Sequence, residues 1–172
     1  VLLARLYPKA YVSSLTDISP DYFLDKGIKG IILDLDNTII PWKAGTITPE
    51  MVDLITRYRE SGLGLCVVSN ALNKRVMNLL GPLGIPAVAG AKKPFRKPFL
   101  KAVDILGTTT RETAMVGDQL FTDILGGNRL GFYTILVRPI SKKEFIGTRF
   151  VRLIEKLLLN RLIKKGIIDS PQ

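Results

Sequence analysis

Histidine is absent from this chain of 172 residues, and cysteine occurs once. Without imidazole, Ser-His-Asp and Cys-His hydrolases, His-ligated zinc sites and imidazole acid–base chemistry are all excluded. One thiol excludes internal disulfides and fits a reducing compartment, the cytoplasm or an organelle matrix. That thiol, Cys66, lies in the apolar run "LGLCVVSN" and reads as a buried structural side chain with no base to activate it. No run of about 18 uncharged apolar residues occurs, which argues against a membrane span. The opening "VLLARLYPKAYVSS" carries Arg5, Pro8 and Lys9 and lacks the long core of a secretory signal. Because the chain begins at Val1, a leader removed upstream of it stays open. Catalysis, if present, must run on carboxylates, lysine, hydroxyls and a metal.

The sequence is rich in positive charge and apolar residues. A net charge of +10 points to an anionic partner: a phosphate ester, a nucleic acid or an acidic lipid surface. A hydrophobic content of 47 % over 172 residues fills the core of a single domain, with a body over about residues 28–139 and a basic helical tail over 140–172.

Five short apolar runs recur: "GIIL" at 30–33, "LGLCVVS" at 63–69, "IPAVAG" at 85–90, "TAMVG" at 113–117 and "YTILV" at 133–137. Most are continuous rather than alternating, as parallel strands covered on both faces require. Helix signals separate them. Thr48-Pro49-Glu50 offers an N-cap, a proline at the first helical position and an early acid. Ser19-Pro20-Asp21 caps an earlier helix running to Gly27, and residues 71–80, 95–106 and 122–130 read as further helices. The alternation predicts an α/β fold, a Rossmann-like doubly wound parallel sheet of about five strands with right-handed crossovers.

Such sheets bind ligands beyond the carboxyl ends of their strands. Here the first run ends in Asp34 and Asp36, the second in Ser69-Asn70, the third precedes Lys92-Lys93, and the fourth ends in Gly117-Asp118. Asp34 and Asp36 are two residues apart, so on a strand their side chains share a face. Either the pair lies harmlessly at a solvated strand end, or something cationic sits there, since burying a charge without a partner is costly. Carboxylate oxygens are hard ligands of the kind that a divalent cation such as Mg²⁺ takes.

"DLDNT", "VVSN", "KKP" and "GDQLFTD", in that order, resemble the four motifs of the haloacid-dehalogenase phosphatase superfamily. The words "DLDNTIIPW" and "GDQLFTDILGGNRLGFYTILV" are similar to those of its subfamily IIIA, the YqeG-type phosphatases, which resemble mitochondrial phosphatidylglycerophosphate phosphatases. The resemblance implies Asp34 as nucleophile and metal ligand, forming an aspartyl-phosphate. It implies that Asp36 gives its carbonyl to the Mg²⁺ and its carboxyl to acid–base work, and that Asp118 completes the protein's ligand set. Asp123 becomes an auxiliary carboxylate. Thr38, Ser69 and a lysine take the phosphoryl oxygens, with Asn70 beside them; of the two lysines followed by proline, the pattern favours Lys93, and Lys97 falls inside the next helix. The glycines of "LGGNRLG" read as turn and helix-end features, and Asn128 as structural. Trp42 is either packing or the lip of the site.

The intervals from Asn37 to Thr48 and from Ser69 to Lys93 leave no room for an inserted cap. An open site suits a phosphorylated substrate with a bulky body: a lipid head group above all, phosphatidylglycerophosphate being what the resemblance implies, or else a nucleic-acid end, a protein or a metabolite. Between Arg138 and Lys165 stand nine Lys/Arg against two acids. In helical projection Phe150, Leu153, Ile154, Leu157 and Leu158 form a stripe, with Arg149, Arg152 and Lys156 opposite. Either the stripe docks on the sheet and leaves the charges in water, or the helix lies peripherally on an anionic membrane. Arg161, which interrupts the stripe, favours docking. A non-enzymatic module binding RNA or the ribosome is disfavoured, because few aromatics are available for base stacking. The oligomeric state is left open.

Overall fold

The computed structural model describes residues 3–141 and 146–171, with 146–149 as backbone only. Its strands, β1 (Ala10–Val12), β2 (Gly30–Leu33), β3 (Gly64–Val68), β4 (Ala87–Val88), β5 (Thr113–Gly117) and β6 (Tyr133–Val137), form one sheet in the order β1-β6-β5-β2-β3-β4. Every pairing is parallel. The strand count is six rather than about five. The additional strand, β1, is a three-residue edge paired only with β6, half-buried throughout and too short to make an apolar run.

The helices are α1 (Pro20–Leu24), α2 (Pro49–Glu60), α3 (Asn73–Leu80), α4 (Arg96–Leu106), α5 (Leu125–Asn128) and α6 (Ile146–Lys164). Both anticipated caps form: the Ser19 hydroxyl accepts from the Tyr22 amide and the Thr48 hydroxyl from the Met51 amide, each at 3.3 Å. These bonds satisfy amides that the helix itself leaves unpaired.

Alternate residues of the central strands feed two apolar layers. Ile31, Leu33, Leu65, Val67, Ala114 and Val116 join α2 and α3 through Leu54, Tyr58 and Leu80. Ile32, Cys66, Val68 and Met115 face the other way, onto Phe99 and Ala102 of α4. The glycines before α5's end act by closeness rather than by turning the chain. A Cβ on Gly126 would overlap the Phe99 ring, and one on Gly127 would press on Thr134 and Met115. Gly131, at φ +80°, is a true turn glycine. Asn128 is structural as expected: its amide donates to the carbonyls of Arg5 and Tyr7 and accepts from Thr134.

From β2 the chain proceeds to β3 and β4 on one side, then crosses back to place β5 and β6 on the other. Strand order therefore reverses between β2 and β5. That crevice is where an open parallel sheet binds its ligand. Residues 34–48 and the α3 connection hold no inserted domain, so nothing built into the chain there roofs the crevice.

Candidate active site

The ladder between β2 and its neighbours ends at Leu33, and the Asp34 amide extends it by one bond, donating to Val116 O at 2.9 Å. Asp34 and Asp36 thus leave the strand tip rather than occupy the strand. Both still line a cavity of about 430 Å³ together with Asn37, Trp42, Ser69, Asn70, Lys93 and Gln119. Trp42 is part of the lip.

Around Asp34 the acids and one lysine converge. Oxygens of Asp34, Asp118 and Asp123 lie within 4.8 Å of one another, and all three residues are buried. Lys93 Nζ donates to Asp34 Oδ1 and, at 2.7 Å, to Asp123 Oδ1. Asp123 arrives from a π turn, Leu120–Ile124, that follows β5, and its other oxygen accepts from the Gln119 amide at 3.1 Å. Such turns are rare and concentrate at functional sites. Gly117 makes the approach feasible, since a Cβ there would overlap the Asp123 carboxylate.

Burial pushes the Asp34 carboxyl up to about 6 against the pull of Lys93. The same desolvation drives Asp118 well above the usual carboxylate range, opposed by Arg152 and reinforced by Asp34 and Asp123. Burial would push the Lys93 ammonium down, but Asp123 and Asp34 together outweigh it, so it stays firmly protonated. The cluster is short of positive charge.

The remaining expected residues sit as follows. Asn70 Oδ1 accepts from the Lys93 backbone amide at 2.8 Å, fixing the loop that delivers the lysine. Ser69 is buried at the cavity wall, its hydroxyl accepting from the Ala71 amide at 3.1 Å. Thr38 is buried too, but it is not among the residues lining the cavity. Lys97 lies within α4, away from the acids.

Asp36 departs from the cluster. Its carboxylate takes a two-bond clamp from Arg75 of α3, both contacts at 2.8 Å, and accepts from the Lys43 amide at 3.1 Å. With 24 % of its side chain exposed it is the wetter of the two motif acids. Asn37, at φ +64°, ties this loop to the end of the sheet: Oδ1 accepts from the Trp42 amide and from the amide and hydroxyl of Ser141. Asparagine is among the side chains that tolerate this left-handed backbone.

The C-terminal helix is turned the other way from the expected docking. Arg152 faces inward, donating to the Asp118 carboxylate, to Asp118 O at 2.6 Å and to Glu155 at 3.1 Å. Glu155 in turn accepts from the Phe121 amide at 3.1 Å. Leu158 and Leu159 pack on Leu120, Ile124 and Leu136 beside it. Phe150, Leu153, Ile154 and Leu157 face outward. The physical reason is the buried Asp118: a desolvated carboxylate demands a cation, and Arg152 supplies it at the cost of exposing the stripe. The side chain of Arg149 lies outside the described residues.

Neither Arg75 nor Arg152 was legible as a site residue. Each pairs with an acid more than 30 positions away, so no local spacing announces it.

The acids fit a hard divalent cation. Every donor is a carboxylate oxygen, and among the described residues Asp118 Oδ1 is buried with no hydrogen-bond partner. Thr38 Oγ1 is the other such atom.

Comparison with known proteins points the same way as this geometry. A family model described as haloacid dehalogenase-like hydrolase matches residues 42–131, and one described as mitochondrial PGP phosphatase matches residues 3–78. The chain is 38 % identical over 162 residues to the Bacillus subtilis protein named "Probable phosphatase YqeG", covering 94 % of each. It is 33 % identical to phosphatidylglycerophosphate phosphatase 1 of Arabidopsis thaliana, covering 93 % of this chain but only 49 % of the plant protein. The fold is shared with the cobalt-bound deoxy-D-mannose-octulosonate 8-phosphate phosphatase of Haemophilus influenzae. That match has a TM-score of 0.51 at 16 % identity, over 84 % of this chain and 95 % of the other.

Proposed function

The chain belongs to the haloacid dehalogenase-like hydrolases and is a phosphatase of that family, and from this premise we propose that it cleaves phosphomonoesters through Asp34 with the help of Mg²⁺. The observation that carries the reading is the meeting of Asp34, Asp118 and Asp123 with Lys93 at the reversal point of the sheet.

Asp34, Asp118 and Asp123 would hold the Mg²⁺ through side chains, with the Asp36 carbonyl beside them. When bound, the cation supplies the positive charge that lets a carboxylate approach an anionic phosphoryl group. Asp34 attacks phosphorus, the bond to the alcohol oxygen breaks, and an aspartyl-phosphate forms. Asp36, clamped as a carboxylate by Arg75 in this structure, would have to free one oxygen and take up a proton before giving it to the departing alcohol oxygen. It then takes one from the water that hydrolyses the acyl phosphate and regenerates Asp34. Its partly exposed position against Arg75 keeps it apart from Asp34 and the buried cluster. Lys93 steadies the phosphoryl oxygens as charge shifts onto them, with the Ser69 hydroxyl at the cavity wall as a further donor; the Thr38 hydroxyl, buried outside that lining, would join them only if the loop shifts toward the substrate. Asn70 acts through Lys93, by holding its backbone.

A phospholipid head group, phosphatidylglycerophosphate in particular, is the substrate this reading favours. Three features support it: the open crevice, the excess of basic residues, and the likeness to a plant phosphatidylglycerophosphate phosphatase. The chain spans about half that relative's length, and the likeness is therefore support rather than an assignment.

The test offers purified protein p-nitrophenyl phosphate with Mg²⁺, then with EDTA, and then a panel of phosphorylated lipids, sugars, nucleotides and peptides. Magnesium-dependent release that EDTA abolishes, with phosphatidylglycerophosphate the best substrate, is the expected result. Hydrolysis indifferent to EDTA would remove the metal-assisted mechanism. A sugar or nucleotide turned over faster than the lipid would remove the substrate.

A further inference from the structure

The outward face of α6 is an unusual surface. Phe150, Leu153, Ile154 and Leu157 are 71 %, 55 %, 41 % and 62 % exposed, at the i, i+3, i+4, i+7 spacing that puts them side by side. A soluble protein scatters exposed apolar side chains singly; a contiguous stripe marks a surface that something covers. Its orientation is held from the inside, by Arg152 on Asp118 and by buried Glu155 and Leu162.

Charge narrows what the cover is. The same face continues toward the C-terminus as Arg161, Lys164 and Lys165, all exposed, and Lys156 flanks it. From residue 150 to 165 the only acid is Glu155, which is buried on the opposite side and committed to Arg152 and the Phe121 amide. The outward face is thus apolar over two turns and cationic over the next, with no negative group. A second copy packed α6 against α6 offers no acid to these cations: antiparallel packing would press them on the apolar half, and parallel packing on each other. Nucleic acid would satisfy the cations and leave four apolar side chains in water. An anionic bilayer satisfies both halves, since apolar side chains enter the acyl boundary while lysine and arginine stay with the head groups.

We propose that the outward face of α6 is a peripheral docking surface for an anionic lipid bilayer, with Phe150, Leu153, Ile154 and Leu157 inserted and Arg161, Lys164 and Lys165 on the lipid phosphates. The surface stands without the catalytic reading. It gives that reading a consequence, because the opposite side of the same helix reaches Asp118. No helix among the described residues is long and apolar enough to cross a membrane, so the contact is one of lying on the surface.

The experiment sediments the full chain with vesicles of phosphatidylcholine alone and of phosphatidylcholine mixed equally with phosphatidylglycerol, at low and high salt. Wild type is expected on the anionic vesicles only, with binding weakened by salt. The triple variant L153S/I154S/L157S is expected to lose binding by roughly tenfold or more. Its p-nitrophenyl phosphatase activity is expected to be unchanged, which shows that it folds. The charge variant R161E/K164E is expected to lose binding at low salt. Wild type that ignores anionic vesicles overturns the proposal. So does a triple variant that binds as well as wild type, or a wild-type dimer that the triple variant converts to monomer. Vesicle binding without hydrolysis of phosphatidylglycerophosphate would sink the substrate reading and leave the docking surface standing.

Discussion

Arg152, on the last helix, hydrogen-bonds both the carboxylate and the backbone carbonyl of Asp118, at the tip of the fifth strand. The C-terminal segment is therefore part of the acid cluster's electrostatics. The guanidinium and the Lys93 ammonium are the two side-chain cations bonded to the three clustered acids among the described residues. A divalent ion arriving at those acids must share them with both.

This sharing makes a stability prediction. Replacing Arg152 by methionine leaves Asp118 and Glu155 buried without their cation, at a cost of about 3 kcal/mol. Urea denaturation in EDTA should report that loss. Adding Mg²⁺ should recover part of it, because the ion supplies charge where the guanidinium was. A variant as stable as wild type in EDTA would show that the contact contributes nothing.

Lys93 is the harsher case. Its ammonium is buried between Asp34 and Asp123, and a methionine there strands two acids in a low dielectric. Stability should fall by about 3–5 kcal/mol in urea denaturation. Turnover of p-nitrophenyl phosphate should drop by about 10²–10³-fold through loss of a phosphoryl contact. The corresponding change at Lys97, which lies in α4 and touches none of these acids, should leave turnover near wild type.

Gly117→Ala tests how closely the π turn is fitted to the strand. The added methyl group overlaps the Asp123 carboxylate, which cannot stay where Lys93 now holds it. Overpacking of this kind costs about 1–3 kcal/mol. The activity should fall well below what that modest destabilisation explains. An alanine variant with wild-type turnover would mean that the position of Asp123 does not matter.

Much of this architecture is legible in the chain because its signals are local. "GIIL", "TAMVG" and "YTILV" are strands to the residue, since a parallel strand buried on both faces must be apolar throughout. The acids, Ser69 and Lys93 stand at or beyond the ends of apolar runs, and their expected roles come from the motifs' resemblance to a phosphatase family. What stayed hidden depends on partners distant in sequence. Ala10–Val12 is a strand only because β6 offers it an edge. Arg75 reaches Asp36 across 39 positions. Docking of α6 by its apolar stripe, one of the two readings of the helical projection, fails for a related reason. Helical projection ranks faces by apolarity, and here a buried carboxylate drew the arginine face inward. The glycines of α5 similarly answer to Phe99, Met115 and Thr134, which no nearby residue foretells.

The most direct test of the catalytic claim is to trap the phosphoryl group on the protein. Enzyme mixed with a phosphate ester and Mg²⁺ is quenched in acid within a turnover, digested, and mapped by mass spectrometry. The expected result is a phosphate on the peptide "GIILDLDNTIIPW", located at Asp34. Asp34→Asn should carry none and should lose at least about 10³-fold in turnover while keeping its fold. Substantial turnover by Asp34→Asn, or phosphate found on any other residue, would contradict the account.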